Sequence, residues 1–283
     1  MKSAKEKEIT AVQKELQQRR EKIGNNLAFG AKEAYKLLRS NITLSIEDDG
    51  NCKVLCITSA VPGEGKSTTS INLAYTLSEA EHRVLLIEGD MRLPHLAETL
   101  GIEQVPGLSN LLTSLNTPAS AIRESGLNPN MFVIPAGEIP PNPSELLSSR
   151  RMEKLIESVK TGFDYIIIDL PPVNVVSDGL NIIRVSDGIV LVAREGYSDK
   201  REISAALSRL DFLGARVLGF VLNDAAGKEG SYNKTGKKNY HYKKSYSGSY
   251  YENAYIKAES AKMADLKPTQ AAESKAEISD DEF

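Results

Sequence analysis

From residue 53 to residue 222 the chain alternates between two hydrophobic patterns. Short runs of nearly continuous Val, Ile and Leu fall at 53–58, 83–87, 131–134, 164–168, 187–193 and 216–222, with YIIID and GIVLVA the clearest. Runs of this kind suit strands buried on both faces, and so predict a mostly parallel sheet flanked by helices. Between them lie stretches with helical spacing at 67–80, 94–100, 107–115, 145–160, 178–184 and 200–212. PPNPSELLSS at 140–149, which overlaps the start of the fourth of these stretches, reads as a loop leading into a helix. Strand and helix in alternation predict one α/β domain of about 200 residues.

The flanks read differently. Residues 31–46, AKEAYKLLRSNITLSI, predict a helix ahead of the first strand. Residues 1–24 are polar with a thin apolar line at Ile9, Val12, Leu16 and Ile23. They are expected to form an exposed helix or a frayed arm. Beyond Asn223 large aliphatic residues nearly vanish, and such a segment cannot bury enough apolar area to offset its ordering entropy. The expected organisation is an arm at 1–27, a domain at 28–223 and a flexible tail at 224–283. Seven of the eleven tyrosines crowd into that tail, as Tyr232, Tyr240, Tyr242, Tyr246, Tyr250, Tyr251 and Tyr255. Residues 228–255 hold six lysines against two glutamates, and residues 256–283 hold four lysines against seven acids, so the tail is basic and then acidic.

Composition narrows the classes. The 283 residues carry a net charge of −3, so no global field draws the chain to nucleic acid, and no nucleic-acid partner is expected. Cys52 and Cys56 stand four apart in and before a strand, too far for a disulfide, and read as reduced core filler. The three histidines are scattered without metal spacing. No apolar run approaches the roughly 18 residues of a membrane span, and no signal peptide is evident, so a cytoplasmic location is expected.

The chemistry concentrates at 58–68, TSAVPGEGKST, between a strand and a helix. This is the context of a phosphate-binding loop. Gly63 and Gly65 let backbone N–H groups turn inward, and the following helix directs its positive end to the same place. Lys66 is expected to meet the β- and γ-phosphates and Ser67 to hold Mg²⁺, with Glu64 and Thr68 completing the ATP-binding stretch. Ala60 replaces the first glycine of the strict pattern. Two strand-terminal acid clusters belong to the same crevice. VLLIEGDMR at 84–92 supplies Glu88, Asp90 and Arg92, and FDYIIIDLPP at 163–172 supplies Asp169. Ligands of open parallel sheets bind beyond the carboxyl ends of strands. Asp169 is expected to organise Mg²⁺. Asp90 is expected to hold Mg²⁺ as well or to accept a proton from an attacking hydroxyl, and Arg92 to reach the nucleotide or clamp a neighbouring loop.

SAVPGEGKST, LLIEGDMR and YIIIDLPP together resemble the Walker A, A′ and B motifs of bacterial tyrosine autokinases of the capsule and exopolysaccharide type. PNPSELL and the tyrosine-rich tail support the likeness, which covers about residues 28–255. The resemblance implies a P-loop fold, ATP and Mg²⁺ as cofactors, and phosphorylation of the tail tyrosines of a neighbouring subunit. It implies catalytic roles for Lys66, Asp90 and Asp169, with Glu88, where the family usually has aspartate, assisting at the metal. EAYKLLRSNI resembles the helix that packs against the next subunit in a ring, here through Glu33, Lys36 and Arg39. Lysine at position 36 cannot form an arginine's bidentate fork. The resemblance further implies a transmembrane activating partner and a tyrosine phosphatase. The rival is a partitioning-type ATPase switch, but Val61 stands where those proteins carry a lysine.

Overall fold

The structure, a computed structural model, describes residues 13–14, 16–114, 117–179 and 182–225. Its frame is a seven-stranded sheet in the order β3-β4-β2-β5-β1-β6-β7. The strands are β1 (Lys53–Ser59), β2 (Val84–Glu88), β3 (Arg123–Glu124), β4 (Met131–Ile134), β5 (Tyr165–Asp169), β6 (Gly188–Arg194) and β7 (Val217–Asn223). Every neighbouring pair is parallel except β3 with β4. The six long strands match the six apolar runs. β3 was not anticipated: two residues are too short to show a period.

All residues of β1, β2 and β5 are buried, because helices cover both faces of the sheet. On one face α1 (Phe29–Ser45) and α2 (Lys66–Glu79) place Ile42, Ile71, Leu73 and Leu77 over Leu55, Ile57 and Ile167. On the other, α4 (Leu108–Thr113), α6 (Arg150–Lys160) and α7 (Lys200–Phe212) cover Val54, Cys56, Ile168 and Leu191. Two short helices, α3 (Leu96–Leu100) and α5 (Pro143–Leu147), sit in the loops beyond the strand ends.

Four expectations need correction. The stretch 145–160 is not one helix. Ser149 caps a new one by accepting from the Met152 amide, so α5 and α6 are separate, and α5 occupies what the sequence suggested was loop. Among the described residues of the 178–184 stretch, the helical part is a 3₁₀ turn at Ile182–Val185, and Asp178 stands outside it in a buried ion pair. Helix α3 begins at Leu96, two residues later than expected, and ends at Leu100, followed by Gly101 in the left-handed conformation. The amino-terminal arm is not simply exposed. Ile23 joins the core, Arg20 donates to the Thr99 and Glu98 carbonyls, and Asn72 of α2 grips the chain at Lys22 and Gly24.

Candidate active site

The strand register sets the floor of the site. Asp169, the last residue of β5, pairs with Ile57 of β1 on one side and Glu88 of β2 on the other. The loops leaving β1, β2 and β5 therefore open on one crevice at the carboxyl edge of the sheet. The β1 loop runs directly into α2, whose first residue is Lys66.

That loop has the backbone of a phosphate cradle. Gly63 and Gly65 have φ of 82° and 94°, a region that side chains disfavour. A Cβ on Gly65 would also lie 1.9 Å from Nδ2 of Asn223. Ser67 and Thr68 stand in the first turn of α2. The Glu64 side chain is used within the loop: one oxygen accepts from the Val61 amide at 2.9 Å, the other from the Ser198 hydroxyl. Any phosphate contact of Glu64 thus falls to its backbone. Tyr197 donates to the Pro62 carbonyl at 2.9 Å and Asn223 to the Glu64 carbonyl at 3.0 Å, bracing the loop from behind. The Val61 side chain packs against the core.

Lys66 lies between two acids. Its Nζ is 3.0 Å from Asp90 Oδ2 and 3.6 Å from Asp169 Oδ2, and both acid side chains are nearly sealed from solvent, at 2% and 1% exposure. Burial alone would lower the Lys66 pKa, but Asp169 and Asp90 outweigh it and hold the ammonium above the usual lysine range. Burial likewise raises the pKa of Asp169, despite the opposing pull of Lys66 and the hydroxyls of Ser67 and Ser70. Ser70 Oγ donates to Asp169 Oδ1 at 3.0 Å.

The side chains of Glu88 and Arg92 are both engaged within the protein. Glu88, expected to assist at the metal, spends its oxygens on three backbone amides: His95 at 2.5 Å, Leu96 at 2.7 Å and Ala136 at 3.0 Å. Its longer side chain fastens the end of β2 to two neighbouring loops. Burial pushes its pKa up to about 7 against those three donors. Arg92 takes the second of its two expected roles and clamps a loop. Its guanidinium forks onto Asp178, with Nε to Oδ2 at 2.5 Å and Nη2 to Oδ1 at 3.1 Å, because a carboxylate at 1% exposure needs a cation.

Sequence reading missed Asp178, Tyr197, Ser198 and Asn223. The abrupt end of the apolar pattern at Asn223 was the only local signal. Of the expected contact residues on α1, Lys36 and Glu33 pair with each other at 2.8 Å, both half exposed, and Arg39 donates to the Thr76 carbonyl of its own chain. The seven tail tyrosines lie outside the described residues.

A glycine cradle at a helix start, its lysine and a strand-end aspartate define a nucleotide-binding P-loop protein. A family model described as an AAA domain matches residues 52–212. The chain is 38% identical over 197 residues to tyrosine-protein kinase CpsD of Streptococcus pneumoniae serotype 4, covering 68% of this chain and 84% of that one. The chain belongs to this family of tyrosine-protein kinases. The solved kinase domain of Escherichia coli tyrosine kinase ETK agrees, with TM-score 0.68, 31% identity and coverage of 75% and 83%. The septum site-determining protein MinD from Pyrococcus horikoshii, complexed with Mg-ADP, is more distant, with TM-score 0.52, 25% identity and coverage of 60% and 70%.

Proposed function

We propose that this tyrosine kinase transfers the γ-phosphoryl group of ATP to tyrosines of its own carboxyl-terminal cluster, in trans, within a homo-oligomer. The observation that carries the reading is the Lys66 ammonium held between Asp90 and Asp169 at the start of α2. Lys66 and the loop amides take the charge of the β- and γ-phosphates. Among the described residues no cluster of three or more His, Cys, Asp and Glu side chains forms a metal site. The donors present fit Mg²⁺ nonetheless, since that ion uses one or two carboxylates together with phosphate oxygens and water. Ser67 and Asp169 would hold it, and it would neutralise phosphate charge.

Asp90 faces the other reactant. A phenol with a pKa of about 10 needs help to lose its proton near neutral pH. Asp90 accepts that proton as the tyrosine oxygen bonds to phosphorus and ADP departs. Each phosphotyrosine adds about −1.5 to −2 charges. Three would bring segment 228–255 from +4, six lysines less two glutamates, to about zero or below. Attraction of the tail to an acidic site would then become repulsion, which gives the oligomer a release.

Helix α1 supports a subunit contact. Phe29, Leu37 and Leu44 are exposed on it, alongside Glu33 and Lys36. Among the described residues no helix is long and apolar enough to cross a membrane. We further propose that the kinase works at the cytoplasmic membrane face through a transmembrane partner, as its likeness to capsule-type tyrosine kinases suggests, controlling polysaccharide synthesis and opposed by a tyrosine phosphatase. The test is mass spectrometry of the full chain after incubation with Mg·ATP. The wild type should carry phosphate on tail tyrosines and Lys66→Met should not; equal phosphate on both would sink the assignment.

A further inference from the structure

Beyond the loop that bears Asp90, three segments meet on one buried carboxylate. Asp178 receives the Arg92 fork from the loop after β2 and the Ser144 hydroxyl from the start of α5, and it belongs itself to the chain following β5. The junction lies close behind the reacting groups. Leu170, the residue after Asp169, packs so tightly that a Cβ on Gly89 or on Gly179 would stand 3.0 Å from its side chain. Asp178 and Gly179 therefore share a wall with Gly89 and Asp90, and Leu170 is the filling between them. Asp90 is tied into the same loop through the Leu93 amide, 3.2 Å from Oδ1.

A buried ion pair of this kind is weak evidence for stability, because desolvation offsets much of the attraction. Its geometry is informative. A bidentate guanidinium–carboxylate pair fixes the relative orientation of the two segments that carry it, which a single hydrogen bond does not. Arg92 is two residues from Asp90, and Asp178 is on the continuation of the strand that ends in Asp169. The pair thus fixes the loop bearing one acid against the chain that follows the other. The P-loop is braced separately, by Ser198, Tyr197 and Asn223.

We propose that Asp178 is a positioning residue for the acceptor side of the reaction: through Arg92 and Ser144 it locks the Asp90 loop, the chain after Asp169 and helix α5 into one wall, against which the incoming tyrosine hydroxyl is aligned. This rests on the assignment of Asp90 to the tyrosine hydroxyl. Releasing the wall lets Asp90 drift relative to the acceptor while the phosphate cradle stays in place. Asp178 acts on transfer, not on nucleotide binding.

The experiment compares full-length wild type, Asp178→Asn and Ser144→Ala. Asparagine keeps the shape but loses the charge, and the serine change removes one hydrogen bond without touching the ion pair. Three quantities are measured: initial rate of tail phosphotyrosine formation, dissociation constant for ATP, and hydrolysis of ATP to water. Asp178→Asn should slow tyrosine transfer by about 10- to 100-fold, the cost of misplacing a reacting group by about an ångström. Its ATP dissociation constant should stay within about twofold, and hydrolysis to water should fall far less than transfer. Ser144→Ala should show the same split, weaker. Unchanged transfer in Asp178→Asn overturns the proposal. So does a parallel fall in ATP binding, hydrolysis and transfer, which is the mark of a general loosening; if Asp178→Asn fails to fold, Ser144→Ala alone decides. A wild type that forms no phosphotyrosine overturns the autophosphorylation assignment itself, and is thereby told apart from failure of the clamp.

Discussion

Removing the carboxylate of Glu64 should unfasten the phosphate loop without touching a phosphate ligand. Glu64 is fully buried and its side chain joins the Val61 amide to the Ser198 hydroxyl. Glu64→Ala leaves the Val61 N–H without its acceptor, at about 1–3 kcal/mol for a buried group. The Ser198 hydroxyl loses its acceptor, although its oxygen still accepts from the Arg194 amide. The lost methylene packing adds about 1 kcal/mol. The Val61 and packing losses together come to about 2–4 kcal/mol of stability. ATP affinity should fall by about tenfold or more, because the loop must then be ordered on binding. Glu64→Gln is the control: its oxygen can serve Val61 and its amide can donate to Ser198, so the loss should stay within about 1 kcal/mol. The two variants also separate by pH. Burial raises the Glu64 pKa above 4.5. The folded state thus binds this proton more tightly than the unfolded state. The wild-type contribution is whole below that value and is lost as pH rises through the folded pKa. Glutamine has no such loss, so any deficit of Glu64→Gln against wild type should shrink as pH rises from 4.5 into the neutral range. Urea unfolding across that range and calorimetric ATP titration measure both effects. Equal stability and equal ATP affinity for the alanine and glutamine variants would refute the brace.

Two further outcomes follow from the same geometry. Gly65→Ala combines a φ of 94° with a Cβ 1.9 Å from Asn223, so it should abolish ATP binding in a calorimetric titration even where circular dichroism shows a folded chain. Lys66→Met leaves Asp90 and Asp169 buried without their cation. Burial already raises the pKa of Asp169, and loss of the Lys66 cation should raise it further; the variant should lose about 3–5 kcal/mol near neutral pH, and urea melts should show part of that recovered on acidification as Asp169 takes up a proton.

The six long strands were legible because each is buried on both faces and therefore lacks polar interruptions. Motifs at and just beyond the ends of those strands singled out Lys66, Asp90 and Asp169 from local sequence, and the structure brings the three side chains together. What local sequence could not show is contact across distance. Ser198 reaches Glu64 over a separation of 134 residues, and Asn223 reaches it over 159. Asp178 drew no notice at the head of the 178–184 stretch, and only the structure shows the side chains of Arg92 and Ser144 converging on it. Glu88 shows the same limit. An acid at a strand end beside a P-loop suggests a metal ligand, and local sequence does not show that its oxygens accept from the amides of His95 and Leu96 at the start of α3 and of Ala136 beyond β4. The arm is helical and mostly exposed over 16–20, as expected, but Ile23, which looked like the last member of a weak stripe, enters a core formed largely by later residues.

The grip of α2 on that arm has a mechanical consequence. Asn72 holds the chain at Lys22 and Gly24, and Tyr75 holds Asn25 at 2.5 Å, so residues 22–25 are moored along the helix that begins with Lys66. Tension applied upstream of Lys22 would be borne first by these moorings, and through them by the helix that carries the phosphate lysine. A chain shortened to begin at Ala28 keeps every nucleotide contact but loses this tether. If the tether transmits load, pulling the full chain from its amino terminus in a single-molecule trap should shorten the dwell time of bound nucleotide. Pulling the shortened chain should not.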